Sequence, residues 1–379
     1  MTNIYLDCNA STQVDPEVLE VVIERLKRPG NASSRTHTYG ADAQRAVQRA
    51  REAVAALVAA DPSEVIFTSG ATEANNLALL GLQSALEESG RRHIVASLIE
   101  HKAVLEPLLR LTESGFHVSW VAPNQDGEVR ADAVLRELRP DTGLVTLMSA
   151  NNETGVIQPI DEVAAGLADH PAYFHTDASQ SFGKHDSPLR EARIDLIAVS
   201  GHKIYGPQGI GALIARRRAR IRPPITPLMV GGGQEAGLRP GTLPVALIAG
   251  LGRAAEIARQ NAAARATAVA RIREQALSAL NGSSWVATSS SATPVLPHVL
   301  HGRFEGVDSE ALMVAAKDFV ALSNGSACTS RSYAPSHVLV AMGLGPGAIE
   351  QSIRISWSHL TREVPWRAVV ELAHSIRHH

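Results

Sequence analysis

Residues 200–213, SGHKIYGPQGIGAL, set Lys203 behind a histidine in a glycine-crowded loop that follows the apolar run IDLIAVS. An amine in a tight loop beside buried strands loses hydration, which lowers its pKa and makes it a usable nucleophile. The alternative for this motif alone is a surface lysine whose stem lies on the protein while its ammonium stays in water. Other strand-like runs end in complementary groups. TSGATEAN follows EVIF, and the backbone N–H groups opening its helix, with the Thr72 hydroxyl, form an anion cradle or, more plainly, an N-cap. His101 follows IVASL and by itself reads as a cap or packing residue. Asp177 follows AYFHT, with Gln180 on the next turn. Asn151-Asn152-Glu153-Thr154-Gly155 follows LVTLMS and by itself is only a turn.

These groups sit at the ends of short apolar runs that alternate with helical patterns. SEVIFTSG precedes ATEANNLALLGLQSALEES, RHIVASL precedes HKAVLEPLLRLTES, and FHVSWVAP precedes ADAVLREL. The alternation predicts an α/β fold whose mainly parallel sheet is covered on both faces, with the ligand beyond the carboxyl ends of its strands. The Ala- and Arg-rich span 245–280 predicts one or two long helices. They lead into a smaller α+β unit containing PVLPHVLHGRF, SEALMVAAKDF and SIRISWS. The expected division is a large domain of residues 15–250 and a small one of residues 1–14 plus 251–379.

At 379 residues the chain is long enough for two such cores, and its net charge of −2 gives no electrostatic reason to expect direct binding of nucleic acid. The basic run ARRRARIR, residues 215–222, reads as a solvated strand end or partner surface. The two cysteines, Cys8 and Cys328, form no CxxC, which argues against a disulfide framework or a thiolate metal site and for a reducing, cytoplasmic setting. No signal peptide or membrane span is visible.

An anion cradle, a histidine able to stack, a carboxylate and a lysine at one sheet edge match what pyridoxal phosphate requires. The helix N-terminus takes the phosphate, an aspartate keeps the ring nitrogen protonated, and the lysine binds the aldehyde covalently. The glycines let the backbone turn sharply around that bulky adduct.

TSGATEANN, EHKAV, NNETGV, DASQSFGK, SGHKIYGPQGIGAL, GGGQEAGLRPGTLP, SNGSACTS and SIRISW, in this order, resemble the cysteine desulfurase family. That family lies within the class V aminotransferase-like, fold-type I pyridoxal phosphate enzymes. The resemblance spans essentially the whole chain and implies a role for each matching position. Lys203 would carry the cofactor, while His101 would stack on its ring and move protons. Asp177 would pair with the ring nitrogen and Gln180 with the phenolic oxygen. Ala71, Thr72, Ser200 and His202 would hold the phosphate. Thr242, in RPGTLP, would reach the phosphate of a neighbouring subunit, implying a homodimer. Asn152 and Arg354 would fix the carboxylate of L-cysteine, a task that suits the planar fork of arginine.

Cys328 decides between enzymes of this class. Its surroundings, SNGSACTSRSYAPSH, are rich in Gly, Ser and Ala and predict a mobile loop rather than a core position. Its thiolate would take sulfur from L-cysteine, leaving L-alanine and a persulfide for delivery to an acceptor protein. Cys8 reads as structural.

The chain departs from the family pattern in three places. It has Gly30-Asn31-Ala32-Ser33-Ser34 where relatives read GNPS, Gln234 where a histidine often follows the triple glycine, and an end at HSIRHH where scaffold-docking relatives continue. YLDCNAST and GGGQE resemble desulfurases that feed dedicated sulfur modification, including DNA phosphorothioation; iron–sulfur cluster assembly is the other expected destination. The alternatives are a selenocysteine lyase, a class V aminotransferase (which has no need of Cys328) and a non-enzymatic assembly platform built on the same fold.

Overall fold

A computed structural model describes residues 3–325 and 335–377. Its strands are β1 (Ile4–Tyr5), β2 (Val65–Thr68), β3 (His93–Ser97), β4 (His117–Val121), β5 (Thr142–Thr146), β6 (Tyr173–Asp177), β7 (Leu196–Ser200), β8 (Gly211–Ala215), β9 (Trp285–Ala287), β10 (Val299–Phe304), β11 (Val320–Ala321) and β12 (Ser352–Ser356). The expected α/β sheet has seven strands in the order β2-β8-β7-β6-β5-β3-β4. β8 runs antiparallel to both its neighbours, and the remaining pairs are parallel.

Alternate residues along each buried strand enter opposite layers, as the two-residue period of a strand demands. Phe67, Val95, Val145, Phe174, Ile197 and Ile214 join one core with the helices Thr38–Leu57 and Val245–Gln260. Ile66, Ile94, Leu144, Ala198 and Leu213 join the other, against Ala71–Gly81 and Lys102–Glu113. Both faces are therefore dry, which is why these strands read as unbroken apolar runs. The span 245–280 forms two helices, Val245–Gln260 and Ala262–Leu280, broken at Asn261.

A third cluster gathers Leu6, Leu300, Phe304, Ile353, Ile355 and Trp357 with the helices Ala262–Leu280 and Trp366–Ser375. Its sheet is antiparallel, β12-β10-β9, and β1 pairs in parallel with β11. The amino-terminal strand thus packs with carboxyl-terminal elements. Val338, Leu339 and Met342 join the first cluster instead.

The basic run is only in part a solvated surface: Arg217 and Arg220 are exposed, whereas Arg216 and Arg218 are held by the protein. Arg216 is buried, and its guanidinium donates to the carbonyls of Leu189 at 2.7 Å and Ile194 at 3.1 Å. Arg218 pairs with Asp195, which also takes Arg193 Nη1 at 2.7 Å and Phe174 N at 2.6 Å. The Asp195 side chain is 0% exposed. A run of charges does not reveal that the loop before β7 aims its carbonyls at it. Asp195→Asn leaves two arginines facing each other without their counter-charge. We expect it to cost about 3 kcal/mol, read as a lower urea midpoint at unchanged slope.

Candidate active site

The carboxyl ends of β2, β3, β5, β6 and β7 open on a cavity of about 560 Å³. Ala71, Thr72, His101, Asn152, Asp177, Gln180, Ser200, His202, Lys203 and Arg354 all line it. Thr242 does not; it is exposed, between Gly241 and Leu243. Cys328 lies outside the described residues.

Close backbone approach accounts for the glycines around Lys203. A Cβ on Gly211 would stand 2.7 Å from Gly70 Cα, and one on Gly201 would stand 2.9 Å from Ile210 Cγ2 and Pro207 O. The loop after β7 is thereby pressed against the turn after β2. Two residues beyond Lys203, Tyr205 adopts φ +67°, a strained conformation for a side chain of its size. Its N–H donates to Thr12 Oγ1 at 3.0 Å, its carbonyl accepts from Asp15 N at 2.9 Å, and Arg265 lies over its ring. Lys203 Nζ donates to the carbonyls of Asn9 and, at 2.8 Å, Ala10. The amino-terminal segment thus fixes both the backbone and the amine of this lysine.

The helix Ala71–Gly81 begins at Gly70 with no side-chain cap, so its first N–H groups face the cavity. Arg239 Nε pairs with Glu73 Oε1 at 2.9 Å, tying the segment before Thr242 to the same helix start. His101 is indeed an N-cap: its Nδ1 accepts from Ala103 N at 3.0 Å. In the neutral ring that assignment puts the proton on Nε2. Burial, followed by the charge of Lys203, pushes His202 down to about 4, and its Nδ1 lies 3.2 Å from Ser11 Oγ.

Asp177 accepts from Ser179 N at 2.9 Å on Oδ1 and from Asn75 Nδ2 at 2.7 Å on Oδ2. Asn75 Oδ1 meets His175 Nε2 at 3.1 Å, and His175 Nδ1 meets Thr146 Oγ1 at 2.8 Å. Burial pushes His175 down to about 4, so this chain of bonds runs through a neutral ring.

Arg354, 2% exposed on β12, pairs with Asp7 at 2.6 Å and donates to Asn152 O at 2.9 Å. Its Nε has no protein partner. Asn151 shapes the turn beside it, accepting from Glu153 N at 2.9 Å and Thr154 N at 3.0 Å on one oxygen.

Several groups in or behind the site were given no role by sequence reasoning. Asn75 and Asn9 lie within TSGATEANN and YLDCNAST, but nothing in either stretch marks them out. Glu100, the first residue of EHKAV, joins Ser97 Oγ at 2.7 Å to Met148 N at 2.8 Å through its Oε1, and burial pushes it up to about 7. Lys184 lies with Nζ 3.3 Å from His298 Nε2, pushed down to about 7 by burial and then by Lys203.

The residues present fit pyridoxal phosphate. The uncapped helix start suits a dianion, and Asp177 places a carboxyl group at the cavity wall. Gln180 Oε1 and Asn9 Oδ1 are buried acceptors with no protein partner, as expected of groups that await a ligand. Among the described residues, no group of three or more His, Cys, Asp or Glu is placed to hold a metal ion.

Residues 4–363 match the family described as aminotransferase class-V. The chain is 44% identical over 359 residues to the cysteine desulfurase IscS of Methylococcus capsulatus, covering 94% of this chain and 88% of that one. Among solved structures, DndA from Streptomyces lividans superposes with a TM-score of 0.82 at 47% identity, over 92% of this chain and 98% of that one. SspA in complex with cysteine gives 0.83 at 37% identity, over 95% and 100%. With the cavity, its lysine and its helix start already placed at one sheet edge, these likenesses show that the chain belongs to the class V aminotransferase family and, within it, to the cysteine desulfurases, which are pyridoxal phosphate enzymes.

Proposed function

We propose that the chain converts L-cysteine to L-alanine and carries the released sulfur as a persulfide on Cys328 before passing it to an acceptor protein. The observation that carries the reading is the placement of Lys203, Asp177 and Arg354 around one cavity. Bound pyridoxal phosphate supplies the electron-accepting ring that makes the substrate α-proton removable.

The chain's own residues do the rest. The start of the helix Ala71–Gly81, with Thr72, Ser200 and His202, would hold the phosphate. Asp177, which accepts from Asn75 Nδ2 and Ser179 N, would pair with the ring nitrogen, and Gln180 with the phenolic oxygen. Arg354 and Asn152 orient the substrate carboxylate. Lys203 takes the α-proton on Nζ, and His101 moves a proton through Nε2. The Cys328 thiolate then bonds to the substrate sulfur as the C–S bond breaks, leaving its electron pair on the β-carbon, which is protonated. The sum is L-cysteine plus enzyme thiol to L-alanine plus enzyme persulfide.

Exposed Leu228, Met229 and Val230, the last 94% exposed, lie near Thr242 in sequence and support a homodimer in which Thr242 serves the neighbouring cavity. The third cluster, with Leu6 among carboxyl-terminal residues, supports residues 1–14 plus 251–379 as a small domain beside a large one of 15–250. A composition with only two cysteines supports a cytoplasmic setting. The acceptor belongs to iron–sulfur cluster assembly or to a dedicated sulfur-modification pathway such as DNA phosphorothioation. The likeness to IscS supports the first, and YLDCNAST, GGGQE and the likeness to DndA support the second.

Purified holoenzyme given L-cysteine should release one alanine per sulfur transferred and show a gain of one sulfur on the peptide containing Cys328. Alanine without that mass gain would remove the persulfide step. Transamination products in place of alanine would make the chain an aminotransferase.

A further inference from the structure

Glu153 follows Asn152 in the turn beside the cavity, and its side chain reaches two points far away in sequence. Its Oε2 accepts from Ser336 Oγ at 2.5 Å. A Cβ on Gly325 would stand 3.5 Å from Glu153 Cβ, Cγ and Oε2, so the Glu153 arm is the neighbour of Gly325 on that side. Gly325 has φ +84°, which favours glycine. Residues 325 and 336 stand on either side of 326–334, the segment that contains Cys328.

Each point has a second tie. Gly325 N donates to Ser323 Oγ at 3.1 Å, and Arg354 Nη2 donates to the same oxygen at 3.4 Å. Ser336 Oγ accepts from Leu339 N at 3.2 Å, capping the helix His337–Ala341, and His337 Nε2 meets Glu100 O at 2.9 Å. Burial pushes the Glu153 carboxyl up to about 7, against the opposing pull of the Ser336 bond and the charges of Arg354 and His101. A carboxyl removed from water in this way must keep its protein partner, so the bond to Ser336 is where the side chain is held.

We propose that Glu153 is a positioning residue: it ties Gly325 to Ser336 and so fixes, relative to Arg354, where the segment bearing Cys328 leaves and rejoins the fold. The inference rests on the desulfurase reading and adds to it a residue that acts through two anchor points. It serves the step in which the Cys328–sulfur bond forms and the substrate C–S bond breaks. Displacement of reacting atoms by about 1 Å costs up to about 100-fold, so loss of one anchor should slow that step at least about tenfold.

The test compares wild type, Ser336→Ala, Glu153→Gln, Glu153→Ala and the double Ala variant as holoenzymes. It reads single-turnover persulfide formation on Cys328 by peptide mass spectrometry, and cysteine affinity from the change in cofactor absorption. Expected are a persulfide rate lower by about tenfold or more in both single Ala variants and a cysteine affinity unchanged in each. The double variant should be no slower than either single one, and Glu153→Gln, which keeps an acceptor oxygen for Ser336, should recover part of the rate. An unchanged rate in Ser336→Ala, or cysteine affinity falling in step with rate, overturns the inference and leaves the desulfurase reading standing. A wild-type holoenzyme that makes neither alanine nor persulfide removes that reading, and the inference with it.

Discussion

Lys203→Ala is expected to abolish covalent attachment of the cofactor and to lower alanine formation from L-cysteine by about 1,000-fold or more, because in the proposed function one amine both holds the cofactor and moves the α-proton. The fold should survive the change. Nζ is held by the carbonyls of Asn9 and Ala10, and losing one such donor costs about 1 kcal/mol, small beside the stability of a chain with dry cores on both faces of its main sheet. Reduction with borohydride followed by intact mass measurement gives the decisive reading. Wild type should gain the mass of the reduced cofactor on the peptide containing Lys203, and the variant should gain nothing. Lys203→Arg should behave like the alanine variant, since a guanidinium stays protonated and does not attack an aldehyde at neutral pH. A Lys203→Ala protein that kept the visible absorption band after desalting and retained wild-type turnover would refute the assignment of this lysine.

The site was legible where chain topology does the positioning. A parallel sheet delivers successive strand ends to one edge, so His101, Asp177, Ser200 and Lys203 converge once the alternation of runs is recognised. Side chains that hold those residues in place were harder to see. Asn75 stands one turn after Ala71 and supports Asp177 from below, but Asn76 beside it is less buried, and nothing in ATEANN says which asparagine faces in. The acceptors for Lys203 are backbone carbonyls, which leave no mark on residue type. Arg354 was found through resemblance alone. Its burial depends on Asp7 from the other end of the chain, and the run SIRIS shows only a strand with a charge in it. Arg216 misled for the same reason: whether an arginine is solvated depends on carbonyls supplied by a distant loop.

Cys328→Ser is expected to leave the cofactor attached to Lys203 and cysteine binding intact, while persulfide formation disappears and alanine formation falls by about 100-fold or more. A hydroxyl neither ionises near neutral pH nor attacks sulfur as a thiolate does. Cys8 provides the internal control. It is 3% exposed, and burial pushes its thiol up to about 11, leaving little thiolate at neutral pH. It lies in the segment that supplies the Asn9 and Ala10 carbonyls, so Cys8→Ala should cost some stability, about 1 kcal/mol for a small buried side chain, with persulfide still appearing on the Cys328 peptide. The pair of variants separates the remaining readings. An aminotransferase would be indifferent to Cys328→Ser, because its chemistry ends on the cofactor and needs no protein thiol. An assembly platform would show no turnover in the wild type either. Only a sulfur-transferring enzyme loses its product sulfur with Cys328 and keeps it without Cys8. A Cys328→Ser protein that made alanine from L-cysteine at the wild-type rate would place the sulfur-accepting group elsewhere.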